Sequence, residues 1–200
     1  MYHLESMAGN TSSKARARRP GSGARTPEPG VTRGVLQLVS RGPEETQAIG
    51  REIGKLAESG DLYLLTGNLG AGKTCLTQGI AWGLGVEGFI SSPSFVILRE
   101  YRGRLHLYHV DLYRMQSIAE IRDLGLDDYL YGKGVCVVEW ANRGWEYPGD
   151  YMCIEMQIVS ETERRLSFSF QGERYAGILD RLGDTFGKAG ERQQAPKIAD

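Results

Sequence analysis

Eight consecutive residues, Gly67, Asn68, Leu69, Gly70, Ala71, Gly72, Lys73 and Thr74, gather in one short segment what is needed to hold a phosphate. They fit the pattern G-x-x-x-x-G-K-T, and each fixed position has a mechanical reason. Glycines reach backbone angles with φ > 0, so successive N–H groups can curl inward around an anion. A helix opening at Lys73 adds the positive end of its dipole. Lys73 supplies a point charge for terminal phosphates, and the Thr74 hydroxyl can ligate Mg²⁺.

Two acids at strand ends are candidates to complete such a site. One is Glu139, which closes the apolar run Val135, Cys136, Val137, Val138 and precedes Trp140. The other is Asp111 in "LYHVDLYR". Burying an unpaired carboxylate is very costly, so each acid is exposed, paired or bound to a cation. Beside a phosphate cradle, a second apolar strand commonly brings an acid to the Thr-bound Mg²⁺. The bland alternatives are an exposed strand-end charge for Glu139 and an ion pair with Arg114 for Asp111.

The elements that must position these groups are legible from periodicity. "DLYLLT" reads as a buried strand entering the cradle, and Leu76, Ile80 and Leu84 share one face of the helix leaving it. Upstream, "VLQLVS" alternates like a strand, and Pro43 opens a helix with Ile49, Ile53 and Leu56 on one face. "FVILREY" and "RLHLYHVDLY" flank Arg102-Gly103 and suggest a hairpin. Ser117 and Glu120 form a capping box for a short helix that Gly125 can close. After the Glu139 strand come "YMCIEMQIV", the polar turn "SETER", the alternating "RLSFSF" and a closing helix "RYAGILDRL". Helices interleaved with strands and two hairpins predict an α/β fold, a three-layer P-loop NTPase with a mixed central sheet.

The predicted P-loop domain spans residues 35–182, between a basic arm (1–34) and a polar tail (183–200). Residues 1–34 carry six basic and two acidic side chains, and their Ser, Gly, Pro and Arg content predicts disorder. The arm reads as an extension upstream of a start at Met7, an electrostatic arm for RNA or partners, or an organelle-targeting peptide. The remaining residues hold 18 basic and 23 acidic side chains, so the body is not a basic nucleic-acid binder. With no apolar run near the ~20 residues a bilayer requires, and no apolar secretory core, the expected location is the cytoplasm, away from membrane. Three cysteines indicate neither a disulfide framework nor a zinc site.

Other reactive residues have plainer readings. Cys75 reads as a small filler facing the sheet, although the helix dipole could lower its pKa. His106 and His109 are three apart in a strand, point to opposite faces and make a poor metal pair. Tyr108 and Tyr113 read as packing and rim residues, and Asp127 and Asp128 as solvent-facing. There is no N-K-x-D motif, which argues against a GTPase, and no Arg-rich lid of the small-molecule kinase type.

The ordered set "PEET", "GNLGAGKT", "SSPSF", "HVDLYR", "GLDDYL" and "VVEW", spanning residues 43–140, resembles the TsaE (YjeE) family. That resemblance implies an ATPase acting with TsaB and TsaD in threonylcarbamoyladenosine modification of tRNA, with ATP and Mg²⁺ at its site. Carried over by position, Gly67 to Thr74 look like the phosphate loop, with Thr74 and Glu139 as Mg²⁺ ligands. Asp111, with Lys73, looks catalytic, and Ser92, Pro93 and Ser94 resemble a switch-like loop near the γ-phosphate. Trp140 is expected close to the nucleotide, and Glu45 and Thr46 near its adenine or ribose. Asn68 stands where the family usually has Asp, Ser94 where Thr is usual, and Arg143 adds a basic group past Trp140. A small-molecule kinase and a nucleotide-dependent binding switch stay open as alternatives.

Overall fold

The computed structural model describes residues 36–143 and 146–187. The basic arm and most of the polar tail lie outside the described residues.

Strand β2 (Leu62–Gly67) shows why the sheet is buried on both sides. Leu62 and Leu64 enter one core, while Tyr63 and Leu65 enter the other. Strand β5 (Val135–Glu139) divides the same way and is buried throughout. This continuous apolar pattern is that of a parallel strand covered on both faces. Beside these two run β4 (His106–Asp111) and β6 (Tyr151–Ile158), and the four form a parallel block in the order β6-β2-β5-β4.

The flanking strands are antiparallel, as the two hairpins predict. Strand β3 (Leu98–Arg102) pairs with β4, while β7 (Arg164–Gln171) pairs with β6 and with β1 (Leu36–Ser40). The result is one mixed seven-stranded sheet. The β3–β4 hairpin departs from the sequence reading in two ways. Its loop is Gly103, Arg104 and Leu105, since Arg102 already pairs with His106. The strand also starts at Leu98 rather than Phe95. The N–H groups of Val96 and Ile97 both donate to Pro93 O (2.8 and 2.7 Å), and Ile97 takes φ 69°. That turn leaves Phe95 83% exposed.

Helices form the outer layers. On one face lie α1 (Pro43–Leu56), α2 (Lys73–Gly83) and α5 (Ala176–Phe186), the last entered through a 3₁₀ turn (Glu173–Tyr175). Helix α5 runs past the boundary placed at residue 182, and Phe186 packs on the core. Among the described residues, the other face carries only α3 (Ile118–Asp123) and α4 (Asp127–Leu130). Ser117 caps α3 by accepting from Glu120 N (3.2 Å), and Gly125 ends it at φ 62°. No helix among the described residues is long and apolar enough to cross a membrane.

Helices α1 and α2 touch through their main chains. A methyl group added at Gly50 would lie 2.3 Å from Leu76 O, and one at Gly54 2.1 Å from Ile80 O. Reciprocally, a methyl group at Gly79 would lie 2.2 Å from Gln47 O, and one at Gly83 2.2 Å from Arg51 O. Two G-x-x-x-G steps, "GREIG" and "GIAWG", thus bring the helices closer than any side chain would permit.

Candidate nucleotide site

The carboxyl ends of three parallel strands meet at one edge of the sheet. Gly67 ends β2, Glu139 ends β5 and Asp111 ends β4, with Asp111 in register with Glu139 and Glu139 with Leu65. Ligands of open α/β sheets bind outside the carboxyl ends of the strands. The turn from β2 into α2 is built for that task. Gly70 and Gly72 take φ 78° and 101°, angles that few residues other than glycine adopt. At Gly67 a side chain would strike Met156 O of β6 at 2.2 Å.

Lys73 is folded over its own loop. Its ammonium donates to Gly67 O (2.8 Å) and Asn68 O (3.0 Å), and Nζ lies 3.8 Å from the centre of the Trp140 ring. Burial holds the ammonium below the ordinary lysine range, while the nearby carboxylates of Glu139 and Asp111 act the other way. Trp140 reaches this position through a left-handed backbone, φ 61°, immediately after β5 ends. Tyr113 packs against its ring in a tilted arrangement (centroids 4.8 Å apart, planes at 41°), with the Arg143 guanidinium 5.4 Å from the Trp140 ring centre. Arg143 also donates to Tyr113 O (3.0 Å), which gives this extra basic group a structural place at the rim.

Both acids are buried. Glu139 is not an exposed strand-end charge: Thr74 Oγ1 donates to its Oε2 (3.0 Å), and His109 Nε2 lies 2.8 Å from its Oε1. Asp111 accepts from Ser92 Oγ, Ser94 Oγ (2.6 Å) and Tyr113 N (2.8 Å). Arg114, the alternative partner proposed for it, lies over the Phe95 ring instead (4.0 Å). Thr74 and Glu139 offer hard oxygen donors side by side, which suits Mg²⁺, an ion usually completed by phosphate and water. No trio of His, Cys, Asp or Glu among the described residues forms an all-protein cage.

The remaining expected contacts are more peripheral. Thr46 is buried against Ser40 Oγ (2.6 Å) and donates to Gly42 O (3.2 Å). Glu45 is exposed and accepts from Arg41 N (2.6 Å). Both residues are committed to the first turn of α1, which the Cys75 thiol, donating to Pro43 O at 3.4 Å, ties to the first turn of α2. Cys75 therefore turns toward α1 rather than the sheet. Its pKa is raised, first by burial and then by Glu44, against the opposing effect of Arg164. His106 is exposed, and Asp127 and Asp128 face solvent as expected.

Three contributors escaped the sequence reading. Strand alternation puts His109 on the same face as Asp111, and that spacing was the available signal. Thr77 is buried one helical turn beyond Lys73, with Oγ1 3.5 Å from Glu139 Oε1. Arg164 reaches Gly70 O (3.3 Å) from the start of β7, a contact no local pattern announces.

The family model for threonylcarbamoyl adenosine biosynthesis protein TsaE matches residues 40–166. The tRNA threonylcarbamoyladenosine biosynthesis protein TsaE of Bacillus subtilis is 44% identical over 142 residues, covering 70% of this chain and 89% of the relative. Its Treponema pallidum counterpart is 40% identical over 133 residues, covering 66% and 98%. The crystal structure of Bacillus subtilis YdiB matches with a TM-score of 0.67 at 37% identity, covering 78% of this chain and 99% of YdiB. The fold is that of a P-loop NTPase, and the chain belongs to the TsaE family.

Proposed function

We propose that this chain is an ATPase that binds and hydrolyses ATP with Mg²⁺ to support TsaB and TsaD in threonylcarbamoyladenosine modification of tRNA. The observation carrying this reading is the convergence of Thr74, Glu139 and Asp111 at the mouth of a glycine-lined cradle. The pathway comes from the relatives, which are named as tRNA threonylcarbamoyladenosine biosynthesis proteins.

In this reading the loop N–H groups and Lys73 bind the phosphates, after Lys73 leaves Gly67 O and Asn68 O. Thr74 and Glu139 hold Mg²⁺, which when bound offsets charge on the phosphate oxygens. Asp111 orients the attacking water once Ser92 and Ser94 release its Oδ2. The Trp140 ring closes one wall over the lysine.

Lys73→Ala should weaken ATP binding by at least ~2 kcal/mol, because a charge-assisted contact to phosphate is lost. Unchanged affinity by calorimetry rejects the cradle. Glu139→Ala should raise the Mg²⁺ concentration required for turnover while leaving the fold intact. Wild-type Mg²⁺ dependence in that variant rejects its role as a ligand.

The full reading is tested by measuring ATP hydrolysis and modified tRNA together. Alone, the chain should turn over well below the ~10 s⁻¹ typical of enzymes, and several-fold faster with TsaB, TsaD and tRNA. A fast ATPase indifferent to those partners would favour a kinase, and phosphate transfer to an acceptor would establish one. Full tRNA modification with a non-hydrolysable analogue would favour a binding switch.

A further inference from the structure

His109 is fully buried in β4, two residues before Asp111 and on the same face of the sheet. Nε2 lies 2.8 Å from Glu139 Oε1, while Nδ1 is buried with no hydrogen-bond partner. A carboxylate oxygen only accepts, so Nε2 carries the hydrogen of this contact.

The other neighbour of Oε1 is weaker. Thr77 Oγ1 stands 3.5 Å away, and its one proton goes to Lys73 O at 3.0 Å. The opposite oxygen, Oε2, accepts from Thr74. One side of the carboxylate is therefore pinned from inside the sheet, and the other faces the cradle. We propose that His109 is a positioning residue, fixing the Glu139 carboxylate so that Oε2 stays turned toward Thr74. The proposal rests on the reading of Glu139 as an Mg²⁺ ligand and adds the group that aims it.

Donors behind a ligating carboxylate typically govern metal affinity by ten- to a hundredfold. The full-length chain saturated with ADP should be titrated with Mn²⁺, with free Mn²⁺ followed by electron paramagnetic resonance. His109→Leu, which keeps bulk but removes the donor, should weaken Mn²⁺ binding at least ~10-fold, with metal-free ADP affinity changed less than ~2-fold. His109→Gln restores an N–H close to the Nε2 position and should recover most of the loss. Mn²⁺ binding at wild-type strength in His109→Leu overturns the proposal, as does a His109→Gln as defective as His109→Leu.

Glu139→Gln, run in parallel, separates the two levels of the argument. If it weakens Mn²⁺ binding and His109→Leu does not, only the positioning role fails. If neither has an effect, the ligand reading of Glu139 fails first. Should the His109 variants not fold, imidazole nitrogen NMR of the wild-type chain still decides the matter. A proton on Nε2 of His109 supports the proposal, and a bare Nε2 overturns it.

Discussion

The phosphate loop and the Ser91–Ile97 segment lie on the same rim of the sheet, yet they are held by opposite means. The loop is gripped by main chain. Its helix presses Gly79 and Gly83 onto carbonyls of α1, and Gly67 abuts Met156 O of β6. Ser91–Ile97 rests on a buried Pro93 and on Ile97 against the core, but its hold on the site is polar, through Ser92 and Ser94 on Asp111, while Phe95 stands in solvent. A backbone interface has one arrangement, whereas a hydroxyl-to-carboxylate latch can be opened and remade. The site thus pairs a cradle set in the core with an acid whose partners can change.

The sharpest way to break this contrast is to wedge the helices apart. Gly79→Ala forces a methyl group against Gln47 O and should cost at least ~2 kcal/mol in urea unfolding, where a helical Gly→Ala ordinarily gains ~0.5–1 kcal/mol. Gly177, in α5 with open space around it, is the control and should not lose stability on the same change. Equal behaviour at the two positions would mean that the main-chain contact does not stiffen the cradle.

A smaller effect is expected at the latch. The double variant Ser92→Ala, Ser94→Ala removes two hydrogen bonds to the buried Asp111 carboxylate and should cost ~1–2 kcal/mol. It should also speed chymotryptic cleavage after Phe95, and an unchanged cleavage rate would show that the segment is fixed by other contacts. Smallest of all, Phe95→Ser should alter stability by less than ~1 kcal/mol, since it loses only an exposed contact with Arg114. A larger loss in thermal unfolding would show that the segment is part of the core after all.

Features repeating with the period of an element were legible in the sequence. The cradle, both strand-end acids, the capping box at Ser117 and the buried faces of α1, α2 and β5 follow from local pattern. What local pattern could not supply was contact between distant segments. Nothing near Gly50 announces Leu76 O, and nothing near Arg164 announces Gly70 O. His109 illustrates the boundary, because alternation gives its face but not the carboxylate it meets across the strand. Phe95 and Val96 are apolar enough to suit a strand, but the turn at Pro93 sends them outward. Cys75 was placed by its neighbour in sequence, and its actual partner is Pro43.

Trp140 has a consequence for exchange at the site. The left-handed backbone at φ 61° carries a steric cost of about 1–2 kcal/mol. In return the indole face, together with two peptide carbonyls, gives the Lys73 ammonium a resting place in which every contacting group is uncharged. An arriving anion therefore competes with dipoles and a ring quadrupole instead of a carboxylate in contact with the amine. The lysine can be recruited without first breaking an ion pair, so the barrier to filling and emptying the cradle is lower than a salt-bridged lysine would impose.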